Sequence, residues 1–554
     1  MNEEFNTKTR RSHKRHKEEI RECEIMNSIA IPLRSLCLLC ALVVNSEAAP
    51  PTLTSLFPAG AQRGTTTEIT AAGAIDKSTK LWASGKGVSI GPAKEKGSFA
   101  VTVAADAVPG TYWLRAYNGD GASGLRPFLV GTLPEVVEKE PNDEPKQLPI
   151  LPDSCVVNGK LGKAGDVDCF AITAKKGQTL VASLEANRTL KSPMDAMMQI
   201  VSTDGFVLEQ NNDSHGLDPQ IAYAVPKDGT YFIRVFAFPS TPDTTVRFAG
   251  GDAYVYRLTA TTGGFLDYTK PLSIGPDVKA VEVRGWNISD ELRTISVPKM
   301  NSPDPHIALF HPKLANPFRA RSERDAIAKS STHGLAKPGD EIRIPFAGKK
   351  GQALSILAES RSFGLAVDPV IRVLDKDQKE LARAEPPKLH SDTALSFTPP
   401  ADGDYSIAVT DLYGGGGPRH AFLLRVLTLA PDYDLTVASD RFAIPPGKSL
   451  DIPVKIARKN GFAKPIEIVA EGLPMGMTFE VKVPPGKADP NSTTIALTAG
   501  KVGSGGAFRL VGKVKDEPLS MRTAMAPLTE FEEVTADLWF AVMDGPMSPT
   551  PPKK

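Results

Sequence analysis

From residue 50 onward the chain is written in short runs in which apolar and polar side chains alternate. Thr65–Thr70, Ser98–Val103, Tyr112–Tyr117, Thr230–Phe236, Tyr254–Thr259, Tyr405–Val409 and Leu450–Ile456 place β-branched or aromatic residues at every second position, and Gly, Pro, Asn and Asp bound most of them. A period of two sends alternate side chains to opposite faces, so each run predicts a strand with one face on a core. No stretch of a dozen residues sustains a 3.6-residue apolar period. Strands without alternating helices predict an all-β chain of tandem β-sandwich domains, not a parallel α/β sheet.

Length and composition sharpen that picture. At 554 residues the chain exceeds what one hydrophobic core supports, and about three to five domains are expected. Gly (46) and Pro (47) are plentiful, which favours turns and short strands over long helices. The net charge of +1 gives no global field to steer nucleic acid or an anionic membrane, so no nucleic-acid partner is expected.

Residues 27–49 read as a secretory signal peptide. Arg34 is the positive flank, Leu36–Val44 is the apolar stretch, and Ser46-Glu47-Ala48 supplies small residues before Ala49-Pro50. Nine apolar residues are too few to span a bilayer of about 30 Å, so the mature chain is expected to lack a transmembrane segment. The expected location is outside the cytoplasm: periplasm, cell surface or secreted. Residues 1–25 interleave Arg10, Arg11, Lys14, Arg15 and Lys17 with Glu18, Glu19, Glu22 and Glu24. They read either as a basic nucleic-acid-type patch or as a disordered gene-start extension upstream of Met26; a terminal export signal favours the second. Cys23, Cys37 and Cys40 precede the expected cleavage point, which leaves Cys155 and Cys169. These two either form a disulfide across a hairpin with turn signals at Asn158-Gly159 and Gly162–Gly165, or remain free, buried thiols.

The chain also resembles itself. Lys175-Lys176-Gly177-Gln178-Thr179-Leu180 recurs as Lys349-Lys350-Gly351-Gln352-Ala353-Leu354, and Asp228-Gly229-Thr230-Tyr231 recurs as Asp402-Gly403-Asp404-Tyr405. Asp195–Ile200 resembles Asp368–Val373. The offsets are 174, 174 and 173 residues, which points to two copies of one domain.

Glu140-Pro141-Asn142-Asp143, Gly165-Asp166-Val167-Asp168-Cys169-Phe170, the Lys-Lys-Gly-Gln turn, Asp204-Gly205, Asn212-Asp213 and Asp228-Gly229-Thr230-Tyr231 together resemble the bacterial pre-peptidase C-terminal domain. The resemblance covers residues 133–262, and residues 334–428 resemble the same domain with weaker motifs. It implies a jelly-roll-like β-sandwich, commonly appended to secreted proteases. Residues 50–132 resemble an immunoglobulin-like domain through Pro51–Gly60 and Gly110–Arg115; 265–333 read as a shorter immunoglobulin-like β region, and 431–543 as a last immunoglobulin-like sandwich. Residues 544–554 are Pro-rich and read as a disordered tail. The string of domains resembles exported proteins of planctomycete-like bacteria.

Glu138-Lys139-Glu140-Pro141-Asn142-Asp143 gathers four oxygen-bearing side chains into six residues, and Asp166 and Asp168 share one face if their segment is extended. Calcium takes six to eight oxygen ligands, so the chemistry suits that ion. The calcium-binding collagenase relatives use a similarly spaced segment. The resemblance therefore implies calcium as cofactor at Glu138, Glu140, Asn142, Asp143, Asp166 and Asp168; the alternative is a solvated charged linker. The second copy has Lys337–Glu341 at its start instead, and no equivalent site is expected there.

Catalytic signals are weak. Gly121-Ala122-Ser123-Gly124 reads as a turn rather than a nucleophile loop, and Asp213-Ser214-His215 as part of a solvated acidic loop. His306 and His311 lack the His-Glu-x-x-His pattern. Trp82, Trp113, Trp286 and Trp539 sit in strand contexts where core packing is expected. The expected function is that of a non-catalytic exported binding or scaffold protein, engaging an extracellular or envelope protein or polysaccharide. The competing expectation, from the company the family keeps, is a secreted peptidase or a peptidase-associated accessory protein.

Overall fold

A computed structural model describes residues 49–543 apart from 242–246, 299–305, 324–327, 483–488, 501–504 and 532. The expected leader (save Ala49), the charged first 25 residues, Cys23, Cys37, Cys40 and the tail 544–554 lie outside the described residues. What is described is almost entirely strand, interrupted by one four-residue helix at Asn187–Leu190 and three single 3₁₀ turns. Tandem sandwiches account for it. Five larger apolar cores follow one another along the chain, drawn from residues 53–130, 151–260, 266–320, 335–424 and 433–542. Among the described residues no helix is long and apolar enough to cross a membrane.

The second core lies between two sheets whose strands are β1 (Ser154–Lys160), β2 (Asp168–Ala174), β3 (Thr179–Glu185), β4 (Met194–Val201), β5 (Val207–Asn211), β6 (Gln220–Ala224), β7 (Gly229–Pro239) and β8 (Val255–Thr261). One sheet runs β6-β3-β8-β1 with the short strand Glu135–Val137 added in parallel at its edge; the other runs β2-β7-β4-β5. Period-two patterning places them. In β4, Met194, Ala196, Met198 and Ile200 enter the core while Asp195 and Gln199 face away.

The fourth core repeats this architecture. Its strands are β9 (Ala328–Gly334), β10 (Glu341–Gly348), β11 (Leu354–Glu359), β12 (Pro369–Leu374), β13 (Glu380–Ala384), β14 (Thr393–Phe397), β15 (Gly403–Asp411) and β16 (Ala421–Thr428). The sheets run β14-β11-β16-β9 and β10-β15-β12-β13, the same order strand for strand. Turn chemistry repeats as well. The amide of Lys176 donates to Asp228 Oδ1 at 2.7 Å and that of Lys350 to Asp402 Oδ1 at 2.6 Å, pinning each Lys-Lys-Gly-Gln turn to its Asp-Gly turn. The hydroxyls of Tyr231 and Tyr405 each donate 2.8 Å back to the carbonyl four residues upstream. The carboxylate of Asp218 accepts the amides of Ala186, Asn187 and Arg188, and that of Asp392 accepts those of Ser360, Arg361 and Ser362.

Residues 265–323 form two three-stranded sheets, and their core borrows Leu365, Ala421 and Leu423 from the neighbouring sandwich. Several local expectations are corrected. Asn158-Gly159 is not a turn but the middle of β1, where Gly159 pairs with Tyr256. A Cβ on Gly159 would lie 2.1 Å from the Tyr256 ring, so glycine is there to make room. Gly121–Gly124 opens a strand, Gly121–Gly131, and the Ser123 hydroxyl donates to its own neighbour's carbonyl at 2.6 Å. His215 is not in a solvated loop; it is largely enclosed between Arg188 and Arg419, with Nε2 2.8 Å from Gln220 Oε1. The four tryptophans pack between sandwiches, outside the five large cores.

Candidate metal centre

The segment that follows the short strand Glu135–Val137 runs beside β1 and then over the start of β2. The Glu138 amide donates to the Asn158 carbonyl at 3.0 Å, and its Oε1 accepts the Lys160 amide at 2.6 Å. Four residues on, the Asn142 carbonyl accepts the Cys169 amide at 2.9 Å, and the Asp143 carbonyl accepts the Cys169 thiol at 3.4 Å. The acidic segment is therefore held by main-chain bonds on two strands from opposite sheets.

This brings together Glu138, Glu140 and Asp168, each offering a carboxylate oxygen within 4.8 Å of the others. Asp168 opens β2 on the same face as Phe170 and Ile172, so its carboxyl points into the sandwich. The Tyr256 hydroxyl donates to Asp168 Oδ2 at 2.5 Å and lies 3.3 Å from Glu138 Oε2. The Asn142 side chain is buried beside them; turned to satisfy its amide, its nitrogen donates to Glu140 Oε2 and Asp168 Oδ1, both at 3.1 Å.

The electrostatics follow from crowding three carboxyls in a buried place. Burial raises Glu138 and Asp168 well above the usual carboxylate range, and the Glu138 charge pushes Asp168 further. Burial, then the neighbouring Asp166, raises Glu140. Among the described residues, none of the three makes an ion pair with a lysine or arginine. The Lys160 ammonium, whose backbone amide serves Glu138, turns to Asp252 at 3.3 Å, and the charge of Lys163 offsets only part of the rise at Glu140. An oxygen-only donor set with excess negative charge and, among the described residues, no ion-paired lysine or arginine fits a hard divalent cation.

Three of the six expected ligands thus converge, with Asn142 lining the group. Asp166 and Asp143 do not join it. The Asp166 carboxylate accepts the Gly162 amide at 2.5 Å and stands 3.8 Å from Lys163, closing its own turn. Residues 166 and 168 do not share a strand face, because β2 begins only at Asp168. The Asp143 side chain is exposed. Tyr256 was not foreseen; its only sequence signal is the glycine opposite it in β1. In the second eight-stranded sandwich, Glu341 opens β10 as Asp168 opens β2, but it is paired with Arg343 and Arg372.

Cys155 and Cys169 are free and buried, the second of the two alternatives. Cys155 projects into the core from β1, whereas Cys169 lies on the outer face of β2 under the acidic segment. Opposite sheets and opposite directions separate the sulfurs.

Comparison with known proteins gives a local likeness. A probable subtilase-type serine protease of Deinococcus radiodurans is 35% identical over 74 residues, 13% of this chain. The chain spans only 10% of that relative's length. Among solved structures, the M60 catalytic domain with two CBM51 domains from Clostridium perfringens ZmpB is 9% identical at a TM-score of 0.13, covering 73% of this chain and 56% of that one. Trypsin-activated α-2-macroglobulin from Escherichia coli is 11% identical at a TM-score of 0.15, covering 89% and 42%. Overlaps this low carry no argument about shape or function. The informative match is to a family: residues 166–237, from just before β2 into β7, match the bacterial pre-peptidase C-terminal domain.

Proposed function

We propose that this chain is a non-catalytic, exported binding or scaffold protein of the cell envelope or extracellular space, whose first eight-stranded sandwich is stabilised by calcium. The observation that carries the reading is the convergence of Glu138, Glu140 and Asp168 with no ion-paired lysine or arginine among the described residues. Calcium supplies positive charge that lets all three carboxyls ionise together. Glu138, Glu140 and Asp168 would hold it, with the Asn142 side-chain oxygen available once its amide turns back from the orientation that donates to Glu140 and Asp168. Because Glu138 belongs to the segment leading in from the first sandwich and Asp168 to β2, the ion would tie that segment to the sandwich and fix how neighbouring loops are presented. The partner proposed is a protein or polysaccharide outside the cytoplasm. The matching strand order supports a second copy of the pre-peptidase C-terminal domain at 334–428, with an ion-paired Glu341 in place of the cluster.

Calorimetric titration of the full chain tests this. Calcium heat at millimolar concentration should appear in the parent and vanish in Asp168→Asn and Glu138→Gln. Absence of heat in the folded parent, or heat undiminished in both variants, rejects the calcium site. A second reading, a peptidase-associated accessory protein, is favoured by the likeness to the Deinococcus protease. Co-purification with a peptidase encoded nearby, or altered cleavage by it on adding this chain, would select that reading.

A further inference from the structure

The first sandwich keeps Leu81, Tyr112, Leu114, Ala116 and Phe128 in its core, so alternation turns Trp82, Trp113, Arg115 and Tyr117 outward from the same sheet. In the last sandwich Leu538, Phe540 and Val542 point inward, and Trp539 and Ala541 outward. These two outer faces meet. Trp539 stands edge-on to Trp82 at 5.7 Å between centroids and 4.8 Å from Tyr117, and Trp113 meets Phe531 at 5.0 Å. At the centre, the fully buried Arg115 donates from Nη2 to Asp440 Oδ2 at 2.7 Å and from Nη1 to the Ser123 carbonyl at 2.8 Å. Arg126 and Glu530 pair at 2.7 Å, with Glu530 open to solvent. Arg115 and Asp440 are 325 positions apart in the chain.

We propose that the first and last sandwiches form a latch locked by the Arg115–Asp440 ion pair, which closes the array end to end and opens at this face without either sandwich unfolding. The contact has the composition of an interface between proteins: aromatic and arginine anchors at the centre and charged pairs at the rim. Its apolar clusters are separate from the cores of both sandwiches, so opening leaves those cores intact. Two of its anchors are imperfectly served, since Arg115 Nε and Trp539 Nε1 are buried without an acceptor. Each unpaired donor weakens the closed state and regains water on opening. Closure is nevertheless favoured because the intervening sandwiches hold the two faces near each other, making the contact intramolecular. A carboxylate lost from position 440 strands the guanidinium in an apolar interface, and separating the faces is the cheapest relief.

The test places cysteines at the rim, Arg126→Cys with Glu530→Cys, in the full chain with Cys23, Cys37 and Cys40 replaced by serine, and treats it with a short bismaleimide. The expected product is a monomer internally linked between 126 and 530. Adding Asp440→Arg should lower that yield about tenfold while circular dichroism stays unchanged and maleimide labelling of the 126 and 530 cysteines, taken singly, does not fall. Should Asp440→Arg prevent folding, Asp440→Asn is the deciding variant, with the same direction expected. Three results overturn the latch: both cysteines label but no internal link forms, the link joins two chains, or linking is undiminished in the folded Asp440 variant.

Discussion

The hydroxyl of Tyr256 sits 2.5 Å from Asp168 Oδ2 and 3.3 Å from Glu138 Oε2, one buried donor shared by carboxyls that arrive from opposite sheets. It gets there because β1 and β8 pair in the register that sets Gly159 against Tyr256, leaving the ring free to cross its neighbour strand. Tyr256→Phe keeps the ring and removes the donor. In calcium-free buffer it should destabilise the sandwich by about 1–3 kcal/mol, the cost of leaving buried acceptors unserved. With calcium in excess the loss should shrink. Denaturant melts with and without chelator check this.

The same carboxyls set a pH dependence. Burial raises Glu138 to about 7, and burial together with the Glu138 charge raises Asp168 to about 9. An unfolded chain releases these protons near pH 4, so between about pH 4 and those raised values the native state holds protons that the unfolded state has lost. Stability from this source is full below about pH 4 and is lost as pH rises through the raised values. The calcium-free protein should therefore melt at progressively lower temperature from about pH 5 to about pH 9. Calcium stabilises the ionised forms, so its stabilising effect should grow over the same range and its binding should release protons. Thermal melts across pH, with calcium and with chelator, read both slopes.

Cys155 and Cys169 make a separate forecast. Burial pushes each thiol up to about 12, and neither lies near a second sulfur. In a chain beginning at Ala49, which excludes Cys23, Cys37 and Cys40, both should be inert to a thiol reagent in the native state and should react together, two per chain, only after denaturation. Thiol counts before and after guanidinium, without reductant, test it; fewer than two in the denatured chain would reveal a disulfide.

Strands and sandwiches were legible because period two is a one-dimensional signal. Ser98–Val103 is bounded in the fold as its alternation predicts, and β4 divides its side chains between core and exterior as written. The acidic cluster was legible only in part. Glu138 and Glu140 are near each other in the chain, but Asp168 joins them through sheet pairing, and Tyr256 lies 88 positions from Asp168. Asn158-Gly159 misled because glycine serves two purposes, turning a backbone or making room for a ring, and the sequence does not say which. The tryptophans misled for a related reason. Alternation tells that Trp82 and Trp113 leave their own core, but not that another sandwich covers them.

Asp218 and Asp392 offer a paired experiment on the two sandwiches of matching strand order. Each carboxylate gathers three successive backbone amides at the corresponding turn, Ala186–Arg188 in one sandwich and Ser360–Ser362 in the other. The two differ in depth. Asp218 is fully buried, and that burial raises it to about 6, whereas Asp392 is partly exposed. Replacing either by alanine frees the amides, which are equally exposed at the two turns; the deeper position of Asp218 is expected to leave water less room to take the place of its carboxylate. Asp218→Ala should cost about 2–3 kcal/mol and Asp392→Ala about 1 kcal/mol. Hydrogen exchange resolves the two locally: protection should fall at 186–190 in the first variant and at 360–364 in the second, each leaving the other turn untouched. Equal losses at both sites would mean that depth is not what separates them. Loss at the distant turn would mean that the two sandwiches unfold as one unit.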